Sequence, residues 1–204
     1  MSAPAPQQPS VRQRICVVGD ELVAGVGDAR GLGWTGRVAA RSAGEEPAQW
    51  YPLAVPGETS TALSGRWESE CNRRFGAGDN RLVVAPGAAD LLDGVSLARS
   101  RLNLANVLDD ATNRRIPCYV LGPAPRHDVD AEALAELSTA FADVCGRRRI
   151  PYVEAFAPLR DHEQWLADLA STDGTHPQQA GYGLLAWLVL HNGWHDWLGL
   201  PQDG

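Results

Sequence analysis

The chain predicts a three-layer α/β/α fold, in which helices cover both faces of a five-stranded, mainly parallel sheet. Short apolar runs rich in β-branched residues alternate with segments of helical period, and these runs are apolar nearly throughout. Such strands are typical of parallel sheets that are buried on both faces. The 21 glycines and 14 prolines favour many tight turns over a helical bundle.

Strands and helices are predicted to alternate in order along the chain. The predicted strands are 15–19, 49–54, 81–87, 116–122 and 150–156. The predicted helices are 33–44, 59–75, 96–114, one around 134–144, and a last helix that begins after Pro177 with Gly181–His191 as its body. Residues 1–13, rich in proline and glutamine, are expected to form a flexible tail, and residues 14–204 a single domain.

Charge and composition disfavour several classes of partner. The chain has 18 basic against 25 acidic residues, a net charge of −7, which disfavours nucleic acid or an anionic membrane as the main partner. All 18 basic residues are arginine, so chemistry that needs a lysine is excluded. No apolar run approaches the roughly 20 residues that span a bilayer, and the first residues lack the apolar core of a secretory signal. We therefore expect a cytoplasmic protein that acts on a small molecule; the oligomeric state is left open.

The four cysteines are far apart in the sequence and form no CxxC pair. Cys16 and Cys118 lie inside predicted strands, and no histidines cluster near these two, Cys71 or Cys145. We expect buried, reduced thiols, no metal site and no cofactor.

Short motifs follow the predicted strands, where ligands bind in open parallel sheets. They read GDELVAG (19–25), VPGETS (55–60) and GAAD (87–90), and DGTHPQQAGY (173–182) follows near the end of the chain. Their order and spacing resemble the SGNH, or GDSL, hydrolase superfamily, especially its small single-domain actinobacterial members. The resemblance covers about residues 14–200 and implies the flavodoxin-like SGNH-hydrolase version of the predicted fold.

The resemblance also implies roles for particular residues. In that family the first block supplies a nucleophilic serine, the second a glycine N–H for the oxyanion hole, and the third an asparagine donor. The last block supplies the aspartate and histidine of the catalytic triad. Here Asp173 and His176 match the last block, Gly57 matches the second, and Gly87 and Asp90 match the ends of the third.

Two positions depart from the family pattern. Glu21 stands where the family has its serine, and Ala89 stands where it has its asparagine, although Asp20 still precedes the first change. Attack of a carboxylate on an ester would give a mixed anhydride, a poor intermediate, and loss of one oxyanion donor costs about 10²–10³ in rate. Conventional serine-esterase activity is therefore disfavoured. The expected substrate- and oxyanion-binding residues are Asp20, Gly57, Gly87, Ala89 and Asp90.

The retained residues predict acid/base chemistry. Glu21 with His176, oriented by Asp173, could isomerise, cyclise, add to or eliminate from a small organic substrate such as a natural product. We expect a Glu21 oxygen within about 2.6–3.2 Å of a His176 ring nitrogen, or one water away, and Asp173 on the other nitrogen. Two alternatives stay open. One is hydrolysis of an ester, amide or epoxide by directly activated water, and the other is an inactive ligand-binding protein in which Glu21 fills the oxyanion hole.

Overall fold

Five strands form one parallel sheet in the computed structural model, which describes residues 13–42 and 47–200. They are β1 (Arg14–Gly19), β2 (Gln49–Ala54), β3 (Asn80–Ala85), β4 (Cys118–Leu121) and β5 (Tyr152–Val153). The order is β2-β1-β3-β4-β5, and every neighbouring pair is parallel. In this doubly wound order the topological switch point lies between β1 and β3, so the crevice at their carboxyl ends is the expected ligand site.

Ten helices flank the sheet within the described residues. They are α1 (Glu21–Ala24), α2 (Gly33–Ala40), α3 (Ser60–Asn72), α4 (Ala89–Leu92), α5 (Leu97–Asn113), α6 (Ala131–Arg148), α7 (Phe156–Leu159), α8 (Glu163–Ala170), α9 (Gln179–Val189) and α10 (His195–Leu198). A π-type segment, Leu190–Trp194, joins the last two. None of these helices is long and apolar enough to cross a membrane.

Side chains alternate along each strand between two apolar cores, because successive residues point to opposite faces. On β1, Ile15 and Val17 pack in the core beneath α2, α8 and α9. Cys16 and Val18 pack in the core beneath α3, α5 and α6. Helices therefore cover both faces of the sheet, which confirms the predicted three layers.

The fifth strand is shorter than the predicted range 150–156 and comprises only Tyr152–Val153. The carboxylate of Glu154 accepts hydrogen bonds from the backbone N–H groups of Phe156 (2.7 Å) and Ala157 (3.2 Å). A side chain that satisfies the first amides of a helix in this way turns the chain out of the sheet and into α7.

Helix boundaries differ from the prediction in two ways. α2 begins at the predicted Gly33 but ends at Ala40, and the predicted end at Gly44 lies outside the described residues. The helices α1, α4, α7, α8 and α10 were not predicted. Four of them have only 4 residues, too few for a helical period to show in the sequence.

The predicted tail extends one residue too far into the fold. Gln13 donates hydrogen bonds to Asp79 Oδ2 (3.0 Å) and to the Leu198 carbonyl (2.9 Å), and its own carbonyl accepts one from the Gln49 N–H (2.8 Å). Residue 13 is thus tied to the start of β2, to the residue before β3 and to α10. The rest of the predicted tail, residues 1–12, lies outside the described residues.

The cysteines agree with the sequence-based expectation. Cys16, Cys71, Cys118 and Cys145 are all buried and free. Burial raises the pKa of the Cys118 thiol to about 12, with a further contribution from Cys145. These thiols contribute to packing of the core that α3, α5 and α6 cover.

Candidate active site

Glu21 is the first residue of α1, which is separated from β1 only by Asp20. Asp20 caps this short helix, because its Oδ1 accepts a hydrogen bond from the Leu22 N–H (3.0 Å). The Glu21 carboxylate accepts a hydrogen bond from the Gly57 N–H (2.8 Å to Oε2) and contacts the Arg126 guanidinium (3.5 Å to Oε1). Only 14% of the side chain is exposed. The carboxylate therefore engages the backbone donor that the family pattern places in the oxyanion hole.

A buried ion pair holds the loop that carries Gly57. Glu58 is buried and pairs with Arg66 on α3, whose guanidinium also donates to the Leu53 carbonyl (2.8 Å). Burial raises the pKa of Glu58, although hydrogen bonding and the charge of Arg66 oppose the rise. The guanidinium ties the loop to the end of β2 and so fixes the direction of the Gly57 N–H.

Arg126 is a site residue that sequence reasoning missed. It lies in the loop after β4, and its guanidinium donates to both carboxylate oxygens of Asp128 besides contacting Glu21. The hydrogen bond from Arg126 holds the pKa of Asp128 below its usual range. Only 11% of the Arg126 side chain is exposed. The only sequence signal for Arg126 is that it follows the carboxyl end of a strand. None of the family motifs lies in that loop.

Asp173 and His176 contact each other as predicted. The His176 Nδ1 lies 3.2 Å from Asp173 Oδ1 and 3.0 Å from the Thr175 hydroxyl. The hydroxyl and N–H of Thr175 donate to Asp173, which lowers its pKa, and His176 adds to this effect. A proton on Nδ1 directed at the carboxylate leaves Nε2 as the acceptor of the ring.

Close packing fixes the His176 ring. Gly27 has φ of +90°, and a Cβ added there would lie 2.9 Å from His176 Nε2, so only glycine lets the backbone pass the ring at this distance. After His176 in the chain, the N–H groups of Gln178 (3.1 Å) and Gly181 (2.6 Å) donate hydrogen bonds to Asp168 Oδ2. Asp168 thereby anchors the turn between His176 and α9.

Glu21 and His176 share no direct hydrogen bond or ion pair in the described part of the chain. The direct form of the predicted contact is therefore not formed, and the form with one intervening water stays a prediction. The loop after β4 links the two groups instead. It carries Arg126, which contacts Glu21, and its His127 N–H donates to the Gly174 carbonyl (2.8 Å) beside the Asp173–His176 pair.

Asp20 and Gly87 are in close contact. Asp20 is 4% exposed, and a side chain at Gly87 would collide with its Oδ2. Burial raises the pKa of Asp20 from its ordinary 3.8 to about 7, and the neighbouring charge of Glu21 adds to the rise. Beside it lies a cavity of about 20 Å³, lined also by Gly122 and Ala124, which is room for about one water.

Ala89 and Asp90 lie on α4, and both are buried. Asp90 Oδ1 accepts a hydrogen bond from the Ser60 N–H (2.7 Å) at the start of α3, and its Oδ2 has no hydrogen-bond partner among the described residues. Ala89 has no side-chain donor. The contacts of Asp90 thus point toward α3 and not toward Glu21, so the expected binding roles of both residues stay predictions.

The site offers a carboxylate, an imidazole and a guanidinium around the end of β1. Glu21 contacts two donors, the Gly57 N–H and the Arg126 guanidinium. The His176 Nδ1 contacts Asp173, and its Nε2 lies beside Gly27. Over residues 13–42 and 47–200, no group of three or more His, Cys, Asp or Glu side chains is placed to hold a metal ion. Of these groups, the carboxylate and the imidazole can take up and release protons, whereas the guanidinium stays charged.

Comparison with known proteins places the chain in a family. The sequence pattern of the GDSL-like Lipase/Acylhydrolase family matches residues 17–184, from β1 into α9. A comparison with curated proteins gave no match.

Solved structures share the fold. The lipase/acylhydrolase from Enterococcus faecalis is 20% identical, with a TM-score of 0.75 over 90% of this chain and 96% of that chain. TesA is 22% identical, with a TM-score of 0.72 over 89% of this chain and 98% of that chain. The psychrotrophic esterase EstA from Pseudoalteromonas sp., in a structure inhibited by monoethylphosphonate, is 17% identical, with a TM-score of 0.71 over 91% and 98%. From the family match, the chain belongs to the GDSL-like lipase/acylhydrolase family.

Proposed function

We propose that this family member is an acid/base enzyme that acts on a small organic substrate. Glu21 and His176 transfer the protons, and Asp173 orients His176. The observation that carries the proposal is the hydrogen bond from the Gly57 N–H to the Glu21 carboxylate (2.8 Å), at the position of the family's nucleophile. A carboxylate there is a poor acyl carrier but a competent proton acceptor.

Each residue has a defined part in the proposed reaction. Glu21 takes a proton from a carbon next to a carbonyl group, and His176, in its imidazolium form, gives one to a second atom of the substrate through Nε2. The proton on Glu21 then passes to solvent and His176 takes one up, so that both groups return to their starting states. Isomerisation, elimination, addition and cyclisation all follow this scheme. The guanidinium of Arg126 lies 3.5 Å from Glu21. In this reaction it stabilises negative charge that develops on the substrate.

Ser60 and Ser64 are the serines nearest the Gly57 loop in sequence and would be candidates for a relocated nucleophile. Ser60 is buried, its N–H donates to Asp90, and its hydroxyl accepts a hydrogen bond from Asn103 Nδ2 (2.9 Å). A serine nucleophile needs a base within hydrogen-bond reach. The Ser60 contacts therefore support chemistry at Glu21 over acyl transfer through this serine.

A proton-exchange screen across small carbonyl compounds tests the proposal. Ketones, aldehydes and keto acids are incubated with the protein in D₂O, and loss of their α-proton signals is followed by ¹H NMR. Chromogenic short-chain esters and a fluorophosphonate probe are tested in parallel. We expect α-proton exchange with no labelled serine. Rapid ester hydrolysis together with stoichiometric labelling of Ser60, Ser64 or another serine would contradict it.

Hydrolysis by directly activated water is a second candidate, and the contact between Asp173 and His176 (3.2 Å) favours it. In that case His176 would remove a proton from a water that attacks an ester, amide or epoxide. Turnover of the chromogenic esters without probe labelling would support this candidate over proton transfer at carbon.

An inactive binding protein is a third candidate, because the Glu21 carboxylate already occupies the Gly57 donor. If that carboxylate only fills the oxyanion hole, compounds should bind without being changed. Glu21→Gln should then preserve or improve their affinity, since a partly buried charge is removed.

A further inference from the structure

A groove lies between α2 and the carboxyl-terminal half of α9, on the outer surface of one helical layer. We call it the α2–α9 groove; its lining includes Arg30, Leu32, Arg41, Gly183, Trp187 and His191. Its volume of about 590 Å³ falls within the roughly 300–1,000 Å³ of small-molecule sites. None of these residues belongs to the site around Glu21.

An aromatic platform forms one wall of the α2–α9 groove. Trp187 is 53% exposed, although tryptophan is usually well buried. Its ring stacks on His191, with centroids 4.3 Å apart and planes at 24°, and His191 Nδ1 lies 2.8 Å from the Trp187 carbonyl. Leu32 adds exposed apolar surface from the start of α2. An exposed aromatic stack of this kind favours a flat ring in van der Waals contact with it.

The charge of the groove is opposite to that of the chain. Arg30, Arg37 and Arg41 line it, and no carboxylate of the described residues does, whereas the whole chain carries −7. Arg37 is neutralised by the buried Asp28. The guanidinium groups of Arg30 and Arg41 form no ion pair or hydrogen bond with a described residue. Two such guanidinium groups favour an anionic group.

We propose that the α2–α9 groove binds a small planar aromatic anion. The ring lies against Trp187, and the carboxylate, sulfonate or phosphate group is held by the arginines that line the groove without an ion pair, Arg30 before α2 and Arg41 after it. This inference is independent of the proposed function at Glu21, because it rests on a different cavity and different residues.

Calorimetric titration with naphthalene-2-sulfonate tests the proposal, with the neutral naphthalene-2-sulfonamide as the matched compound. We expect the sulfonate to bind about ten-fold more tightly than the sulfonamide at low salt, and the double variant Arg30→Gln, Arg41→Gln to remove that difference. Trp187→Leu should weaken both compounds about ten-fold, since each loses the stacking partner.

Two helical glycines allow a variant that blocks the groove and a control variant that does not. A Cβ at Gly183 on α9 would meet no atom within 4 Å, and the same holds for Gly146 on α6, away from the groove. Gly183→Leu should therefore fold and fill the groove, lowering affinity for the sulfonate at least about ten-fold. Gly146→Leu, which carries the same change in a helix, should bind like the wild type.

Three results would overturn the proposal. The first is equal affinity for sulfonate and sulfonamide, and the second is unchanged binding in Gly183→Leu. The third is a dimer, detected by light scattering at the titration concentration, that Gly183→Leu converts to monomer. That result would assign the groove to a second copy of the chain.

Discussion

The buried carboxyl of Asp20 should make the protein less stable as pH rises toward and through neutrality. Its pKa is 3.8 in ordinary surroundings and about 7 in the fold, because burial disfavours the charged form. Between those values the folded state binds more protons than the unfolded state, so the free energy of unfolding falls as pH rises. The full effect, reached above the folded pKa, is about 4 kcal/mol. Asp20→Asn removes this titration and keeps a side-chain oxygen for the Leu22 N–H.

Urea unfolding of the wild type and Asp20→Asn at about pH 5 and about pH 8.5 measures the effect. The stability of the variant relative to the wild type should rise by about 3 kcal/mol from the lower to the higher pH. Asp28→Asn is the matched control in the same region. The hydrogen bond from Arg37 lowers the pKa of Asp28 to about 2, so its stabilisation is lost only as pH falls through that value. The loss of unfolding free energy caused by Asp28→Asn should therefore be the same at both pH values. A stability difference for Asp20→Asn that does not change with pH would refute the reasoning.

Three further predictions concern the site. Glu21→Ser should give weak hydrolysis of chromogenic esters, and adding Ala89→Asn should raise it by up to about 10²-fold by restoring an oxyanion donor; a double variant no more active than the starting protein would mean that the pocket differs elsewhere. Gly27→Ala should displace the His176 ring and lower turnover about 10²-fold, visible as shifted imidazole NMR signals, since a Cβ would lie 2.9 Å from Nε2. Arg126→Gln and Glu21→Gln should show a coupling of about 0.5–1 kcal/mol in a double-mutant cycle of unfolding, and strict additivity would contradict their contact.

Hydrophobic period was enough to place the main elements of the fold. The apolar run 49–54 was predicted as a strand and is β2, Gln49–Ala54, and the helical spacing over 96–114 corresponds to α5, Leu97–Asn113. The prediction failed where one side chain decides a boundary. Strand 150–156 ends early because Glu154 caps the following helix, and no period in the sequence encodes that contact.

The site was predictable where short motifs follow the strands, and less so between them. The blocks located Glu21, Gly57 and the Asp173–His176 pair, because neighbouring residues in a motif stay together in the fold. Arg126 is 105 positions from Glu21 in the sequence and lies in a loop without a motif. Only the folded structure therefore reveals their contact.

The sequence also could not show which hydrogen-bond donors the buried aspartates would contact. Motifs after two strands contain Asp20 and Asp90, but a motif does not say which donor each carboxylate engages. In the fold Asp20 turns toward the Leu22 N–H, whereas Asp90 turns toward the Ser60 N–H on α3. The Asp20 contact is local, whereas the Asp90 contact depends on where α3 packs, which is a property of the assembled layers.

The central claim is that the Glu21 carboxylate transfers protons, and Glu21→Gln tests it most directly. On the compound from the exchange screen that the wild type converts fastest, we predict that kcat falls about 10²–10⁴-fold while the Kd of an unreactive analogue changes little. His176→Ala should cause a similar loss, and the double variant little more, since the two groups act as one unit. Full turnover by Glu21→Gln on that compound would contradict the account and make the carboxylate structural.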